Sequence, residues 1–213
     1  MKSTLFNMVA VLFTITLIAS AGVGAVNMIT EDAIAEANRQ ATVAAVANVL
    51  PAFEKSEMST MTIDEMPINI YTAVDGSGAV VGYAVETMTM SGFSGKVRMM
   101  VGFDAEGTIL NVNVLEQSET PGLGSKMCDE GNVLLASVQG KNPANLKLKV
   151  KKDGGDIDAL TAATISSRAY ADAVARAYEA FKVASGAQES TDGVSGATAT
   201  HEGHDAQEGG DNE

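Results

Sequence analysis

The chain has 213 residues, a formal net charge of −13 and a single cysteine, Cys128. That length holds one domain with appendages, the acidity argues against nucleic acid as a partner, and one cysteine excludes an internal disulfide. Tryptophan is absent and aromatic residues make up 5% of the chain, so a planar ligand would find no large aromatic cage.

From Leu5 to Ile29 no charge interrupts an apolar run. About 20 such residues span a bilayer as a helix. Lys2 precedes the run, and Glu31 and Asp32 follow it. The positive-inside bias then puts the N-terminus in the cytoplasm and the remainder outside. A cleaved signal peptide is the competing reading, with Ala19-Ser20-Ala21 as the cleavage site. The run continues past that site, which favours a retained transmembrane anchor over residues 1–30.

Residues 31–50 are rich in alanine and predict a helix. Thr30 is its expected N-cap, acids occupy its first turn, and Pro51 ends it. It either continues the membrane helix or opens the globular domain, which is expected over residues 31–184.

Residues 68–117 predict an antiparallel meander of four strands, 68–74, 79–90, 96–103 and 108–117. Asp75-Gly76-Ser77-Gly78, Gly92-Phe93-Ser94-Gly95 and Asp104-Ala105-Glu106-Gly107 supply the turns. Such a sheet buries one face. The loop Glu119-Thr120-Pro121-Gly122-Leu123-Gly124 follows; its proline fixes φ and its glycines permit close approach. On residues alone it is equally a rigid connector and a ligand loop.

Residues 126–138 are weakly helical, with Gly131 as a flaw. Leu146, Leu148 and Val150 alternate with Lys147, Lys149 and Lys151, predicting a half-exposed strand with a solvated lysine face. The small residues Thr161, Ala162 and Ala163 then lead into a helix beginning at Thr164. Its apolar stripe runs along Ala169, Ala173, Ala177, Ala180 and Ala184, widened by Val174, Tyr178 and Phe181. A helix start offers unpartnered N–H groups and partial positive charge, both favourable to a phosphate. The competing reading is a plain N-cap by Thr164 or Ser166.

Asp158-Ala159-Leu160-Thr161-Ala162-Ala163-Thr164-Ile165-Ser166 resembles the flavinylation motif of the FMN-binding domain family. One departure is Ala162, where glycine is commoner, a mild change between small residues. The Glu119–Gly124 loop resembles a segment shared by the G subunits of Rnf electron-transport complexes and the C subunits of sodium-pumping NADH:quinone reductases. The resemblance covers roughly Leu5 to Val183. It implies FMN joined covalently, through its phosphate, to Thr164. Thr161, Ala162 and Ala163 would clear room for it, and Ser166 and Ser167 would donate to phosphate oxygens. The loop residues Glu119, Thr120, Gly122, Leu123 and Gly124 would lie near the flavin, and Asp158 would be read by the attaching enzyme, a Mg-dependent flavin transferase that uses FAD.

Residues 185–213 contain Glu189, Asp192, Glu202, Asp205, Glu208, Asp211 and Glu213 and no lysine or arginine, the composition of a disordered acidic tail. Within it Asp192-Gly193-Val194-Ser195-Gly196-Ala197-Thr198-Ala199-Thr200 matches the same motif, making Thr198 a possible second attachment point. No amphipathic helix follows it, so a chance or vestigial repeat is weighed above a second FMN. His201 and His204 do not make a metal site.

No Ser/His/Asp triad, P-loop or cysteine cluster occurs, so no catalytic residue and no metal is assigned. The fold expected is α+β: a transmembrane helix, then an FMN-binding domain with an antiparallel sheet and flanking helices. The resemblance implies a covalently flavinylated electron carrier on the outer side of a bacterial inner membrane. Its partners would be the other membrane subunits of a complex that couples ferredoxin/NAD electron transfer to ion translocation, without independent catalysis. The alternatives are a C subunit of a sodium-pumping NADH:quinone reductase and an unflavinylated periplasmic binding or scaffold domain.

Overall fold

The computed structural model describes residues 5–186. The tail copy around Thr198 lies outside the described residues.

The expected anchor and the alanine-rich stretch after it form one continuous helix, α1 (Leu5–Val49), of 45 residues. At the helical rise it is about 68 Å long. Thr30 does not cap a second helix; its hydroxyl donates to the carbonyl of Val26 at 2.9 Å, bonding back into the preceding turn. Glu31-Asp32-Ala33 simply carry the helix on, since nothing there breaks it. Large apolar side chains from Leu5 (79% exposed) to Ile29 (80% exposed) face outward, and none of the most apolar stretch is buried within the protein. An apolar surface of this extent is incompatible with water and fits lipid. Only the last turn of α1 meets the domain, through Ala45, Val46 and Val49, with Leu50 just beyond it.

The sheet has five strands rather than four, in sequential order with every neighbour antiparallel. They are β1 (Lys55–Ile63), β2 (Met66–Val74), β3 (Val80–Gly92), β4 (Gly95–Phe103) and β5 (Ile109–Gln117). The additional strand is β1, an edge strand exposed along most of its length. Its mixed Lys-Ser-Glu-Met-Ser-Thr sequence lacks the alternation that marks a buried face. The turn that joins it to β2 places Asp64 and Glu65 at φ 49° and 62°, the left-handed conformation of tight hairpins usually signalled by Asn-Gly.

One face of the sheet is covered by α3 (Thr164–Ala184). Ile68, Val85, Met99, Val101 and Phe103 pack there against Ala173, Val174, Ala177 and Phe181. Alanines at the contact let the helix lie close to the sheet. The opposite face is smaller: Ala73, Ala84 and Met100 pack beneath the end of α1. The helix comes so near that a Cβ on Gly102 would stand 2.1 Å from the Val49 carbonyl oxygen. Asn111 donates to the Asn48 carbonyl at 3.1 Å, satisfying a C-terminal acceptor of α1.

Between β5 and α3 the chain makes a 3-10 turn (Gly124–Cys128) and a short helix, α2 (Val133–Val138). The helix expected over 126–138 is thus interrupted, because Asn132 caps α2 by accepting from the N–H groups of Leu134 and Leu135. Around 146–150 the alternation holds, with Lys147 and Lys149 exposed and Val150 buried. No strand forms there; Val150 makes a single parallel bridge to Ile157.

Candidate functional site: the start of α3

α3 begins at Thr164, and its N-cap, Ala163, supplies no side-chain hydrogen bond. The first bond of the helix runs from Ser167 N–H to the Ala163 carbonyl at 3.0 Å. The N–H groups of Thr164, Ile165 and Ser166 precede it and so have no intrahelical acceptor. Neither Thr164 nor Ser166 fills the gap, so the plain-cap reading does not describe this helix. Unpaired donors and the positive end of the helix dipole converge on one spot.

The two serines expected to donate to phosphate are engaged with the protein. Ser167 is fully buried; its hydroxyl donates to the Ala163 carbonyl at 2.9 Å and accepts from Leu160 N–H at 2.9 Å. It locks the approach chain onto the first turn of α3. The Ser166 hydroxyl makes a short bond to Oε2 of Glu119. Backbone N–H groups, rather than these hydroxyls, are the donors left at the helix start.

The approach to Thr164 is a tight turn closed by Ala163 N–H on the Leu160 carbonyl at 3.1 Å. Its third residue, Ala162, has φ 60°. For a residue with a Cβ, this left-handed conformation costs about 1–2 kcal/mol. The position where glycine is commoner is therefore a demand of backbone conformation, and alanine there is not the mild exchange of small residues that size alone suggests.

Glu119 ties three segments together. It is 4% exposed. Its Oε1 accepts from Ser94 N–H, in the β3–β4 turn, at 3.1 Å, and its Oε2 from Ser166, at the head of α3. The loop after it folds on itself: Leu123 N–H and Ser125 N–H donate to the Thr120 carbonyl, and Gly122 N–H donates to Oγ of Ser125 at 2.9 Å. Gly122 takes φ 74°. Gly124 lies against the core of this arrangement, where a Cβ would stand 2.4 Å from the Ser166 oxygen and 2.9 Å from Glu119 Oε2. Any side chain at residue 124 would push the loop off the helix start.

These segments enclose a cleft of about 320 Å³, within the range of small-molecule sites, about 300–1,000 Å³. Of the residues singled out by sequence, Thr120, Leu123, Gly124, Ala162, Ala163, Thr164 and Ser166 line it. Glu119 and Ser167 stand behind its wall. Thr161 and Gly122 are exposed beside it. Sequence reasoning missed two lining residues, Phe93 and Ile165. Phe93 is 65% exposed at the tip of the β3–β4 turn, and an aromatic residue stranded between Gly92 and Gly95 was a legible sign of it. The apolar edges of Phe93, Leu123 and Ile165 suit a flat ring system, while the uncapped helix start suits a phosphate. The residues present therefore fit FMN.

Asp158 sits outside the cleft. It accepts from Lys151 at 2.6 Å and from Ser137 at 3.3 Å. The Lys151 ammonium, which donates to it, holds its carboxyl below the usual range. Arg168, one turn into α3, pairs with both oxygens of Asp153 at 2.7 and 2.8 Å.

The chain is similar to several known proteins. The family model described as "FMN-binding domain" matches residues 92–179, a span that runs from the Phe93 turn to the far part of α3. The chain is 35% identical over 173 residues to the G subunit of the ion-translocating oxidoreductase complex of Shewanella amazonensis, covering 75% of this chain and 80% of that one. It is 30% identical over 176 residues to the G subunit of the Na(+)-translocating ferredoxin:NAD(+) oxidoreductase complex of Acetobacterium woodii, covering 77% and 85%. The crystal structure of Shewanella oneidensis NqrC is 21% identical, with a TM-score of 0.37 over 62% of this chain and 65% of that one.

Proposed function

This chain belongs to the family of G subunits of ion-translocating oxidoreductase complexes, and from that premise we propose that Thr164 carries its FMN through a phosphoester bond. The protein is a membrane-anchored FMN electron carrier of such a complex. The observation that carries the assignment to Thr164 is the uncapped start of α3, with a free-standing hydroxyl at its first residue and no side-chain cap at Ala163. Attachment would form a bond between Thr164 Oγ and the flavin-side phosphorus of FAD. The pyrophosphate bond breaks, AMP leaves, and the hydroxyl proton passes to solvent. A flavin transferase is the partner for this step, and the exposed Thr161 leaves it room.

Bound there, FMN supplies the electron-transfer chemistry that the side chains lack. The chain's own residues position it. The N–H groups of Thr164, Ile165 and Ser166 would hold the phosphate, Phe93, Leu123 and Ile165 would offer apolar contact to the ring, and Glu119 and Ser167 hold the wall in place. The group would carry electrons between the other members of the complex, and no independent catalysis is expected of the chain. We place the FMN domain on the outer side of the membrane, because Lys2 precedes the apolar run and Glu31 and Asp32 follow it.

Mass spectrometry tests the attachment. The tryptic peptide running from Asp153 to Arg168 is expected to carry the FMN mass, and an unmodified peptide from protein made alongside the flavin transferase refutes it. A reporter that is active only outside the cytoplasm, fused after Val183, is expected to be active.

A further inference from the structure

Glu119 is a buried carboxylate whose side-chain partners are both neutral, the Ser94 N–H and the Ser166 hydroxyl. Both of its oxygens accept, the pattern of an ionised carboxylate. Among the described residues no side-chain cation pairs with it, and a charge held away from water without such a partner is unfavourable. An amide could still join the two segments with less penalty, its oxygen accepting from Ser94 N–H and its NH2 donating to the Ser166 oxygen, so structural bridging alone does not account for an acid at this position. What distinguishes the site is its neighbour. Glu119 lies directly behind Gly124 and Ser166, which line the cleft beside Thr164.

We propose that Glu119 is a positioning residue whose negative charge, held against the wall of the cleft by Ser166 and Ser94, lowers the reduction potential of the flavin. This rests on the reading of Thr164 as the FMN attachment point. Two electrons from the donor protein of the complex and one proton from solvent leave the ring one unit more negative than before. A fixed carboxylate nearby disfavours that gain, and it does so more strongly in a desolvated site than in water. Gly124 is part of the device: lacking a side chain, it lets the Glu119 charge sit one backbone layer from the cleft. The carrier is thereby biased toward giving up electrons.

The test is a spectroelectrochemical titration of the full-length flavinylated protein in detergent. Glu119→Gln keeps the shape and removes the charge. At a fixed electrode potential its ratio of reduced to oxidised flavin is expected to rise about tenfold, a shift of about 30 mV for a two-electron couple. Glu119→Asp, which keeps the charge, is expected to stay nearer the wild type than Gln does. An unshifted potential in folded, flavin-bearing Glu119→Gln overturns the inference, as does an equal shift in both variants, which would mean that packing rather than charge is at work. If Glu119→Gln does not fold, the redox-difference infrared spectrum of wild-type protein labelled with 13C-glutamate decides. A carboxylate band that moves on reduction supports the inference, and its absence overturns it. Protein that never acquires flavin at Thr164 overturns the functional reading as well, whereas bound flavin with an unmoved potential overturns only the role of Glu119.

Discussion

The two long helices sit on opposite faces of one sheet and use apolar residues in opposite ways. α3 turns its alanines, Val174 and Phe181 onto the sheet and buries them along its length, leaving its first turn as the working end. α1 buries only its last turn and exposes every large apolar residue from Leu5 to Ile29. The difference teaches that apolar content does not by itself announce a core. The same residue types stabilise α3 by leaving water for protein and α1 by leaving water for lipid. What separates the two helices is the periodicity of the pattern: α3 has a polar face, and the first half of α1 has none.

Mutations can break each half of this comparison. The largest expected effect is at the head of α3: Thr164→Val keeps the size, removes the hydroxyl, and should abolish in-gel flavin fluorescence at the protein's mass. Full-strength fluorescence in that variant would refute the assignment. Next comes the packed side of α3. Phe181 stacks on Phe103 at 5.0 Å between ring centroids and meets Tyr83 edge-on at 5.3 Å. Phe181→Ala should lower stability by about 3–5 kcal/mol, read from denaturant unfolding of the detergent-solubilised protein.

On α1, Leu17→Arg in the middle of the apolar run should cost about 2.5–3.5 kcal/mol of insertion and shift protein from the membrane to the soluble fraction. Ile34→Arg, on the same helix beyond the run, should change partitioning little, and equal effects at the two positions would undo the contrast. A smaller and opposite change is expected from Ala162→Gly. It relieves the left-handed strain at φ 60° and should stabilise the domain by about 1 kcal/mol. The smallest effect is that of truncation after Gly186, which removes Thr198. One FMN per chain and electron transfer through the complex should both survive; flavin mass on the peptide containing Thr198, together with loss of electron transfer on truncation, would make the tail copy a second carrier.

Much of this was legible in the sequence because the signals were local. The uninterrupted run from Leu5 to Ile29, the turn residues between β2 and β5, and the amphipathic stripe of α3 all declare themselves within a few turns of chain. The misses were contacts between distant segments or choices of backbone conformation. β1 carries no alternating pattern, because an edge strand with little buried surface needs none. Thr30 looked like a cap, because threonine bonds equally well back into a helix that continues. Leu146–Val150 had the alternation of a strand without a neighbour to pair with. At the site, the acid of the Glu119 loop could be singled out, but its bonds to Ser94 and Ser166 join residues far apart in sequence. Ala162 showed its size in the sequence and its φ only in the fold.

The unbroken helix from membrane to domain has a mechanical consequence. Between the apolar run and the first buried turn, residues 31–44 form exposed helix without glycine or proline, a rod of about 21 Å. Such a rod resists bending, so the domain stands at a set elevation above the bilayer, like a lamp on a post. The post can spin, but it cannot shorten. A redox partner embedded in the membrane would have to rise to that elevation to exchange electrons with the head of α3. Inserting one helical turn into residues 31–44 would lift the lamp by about 5 Å without touching the cleft, and would separate the demands of distance from those of chemistry.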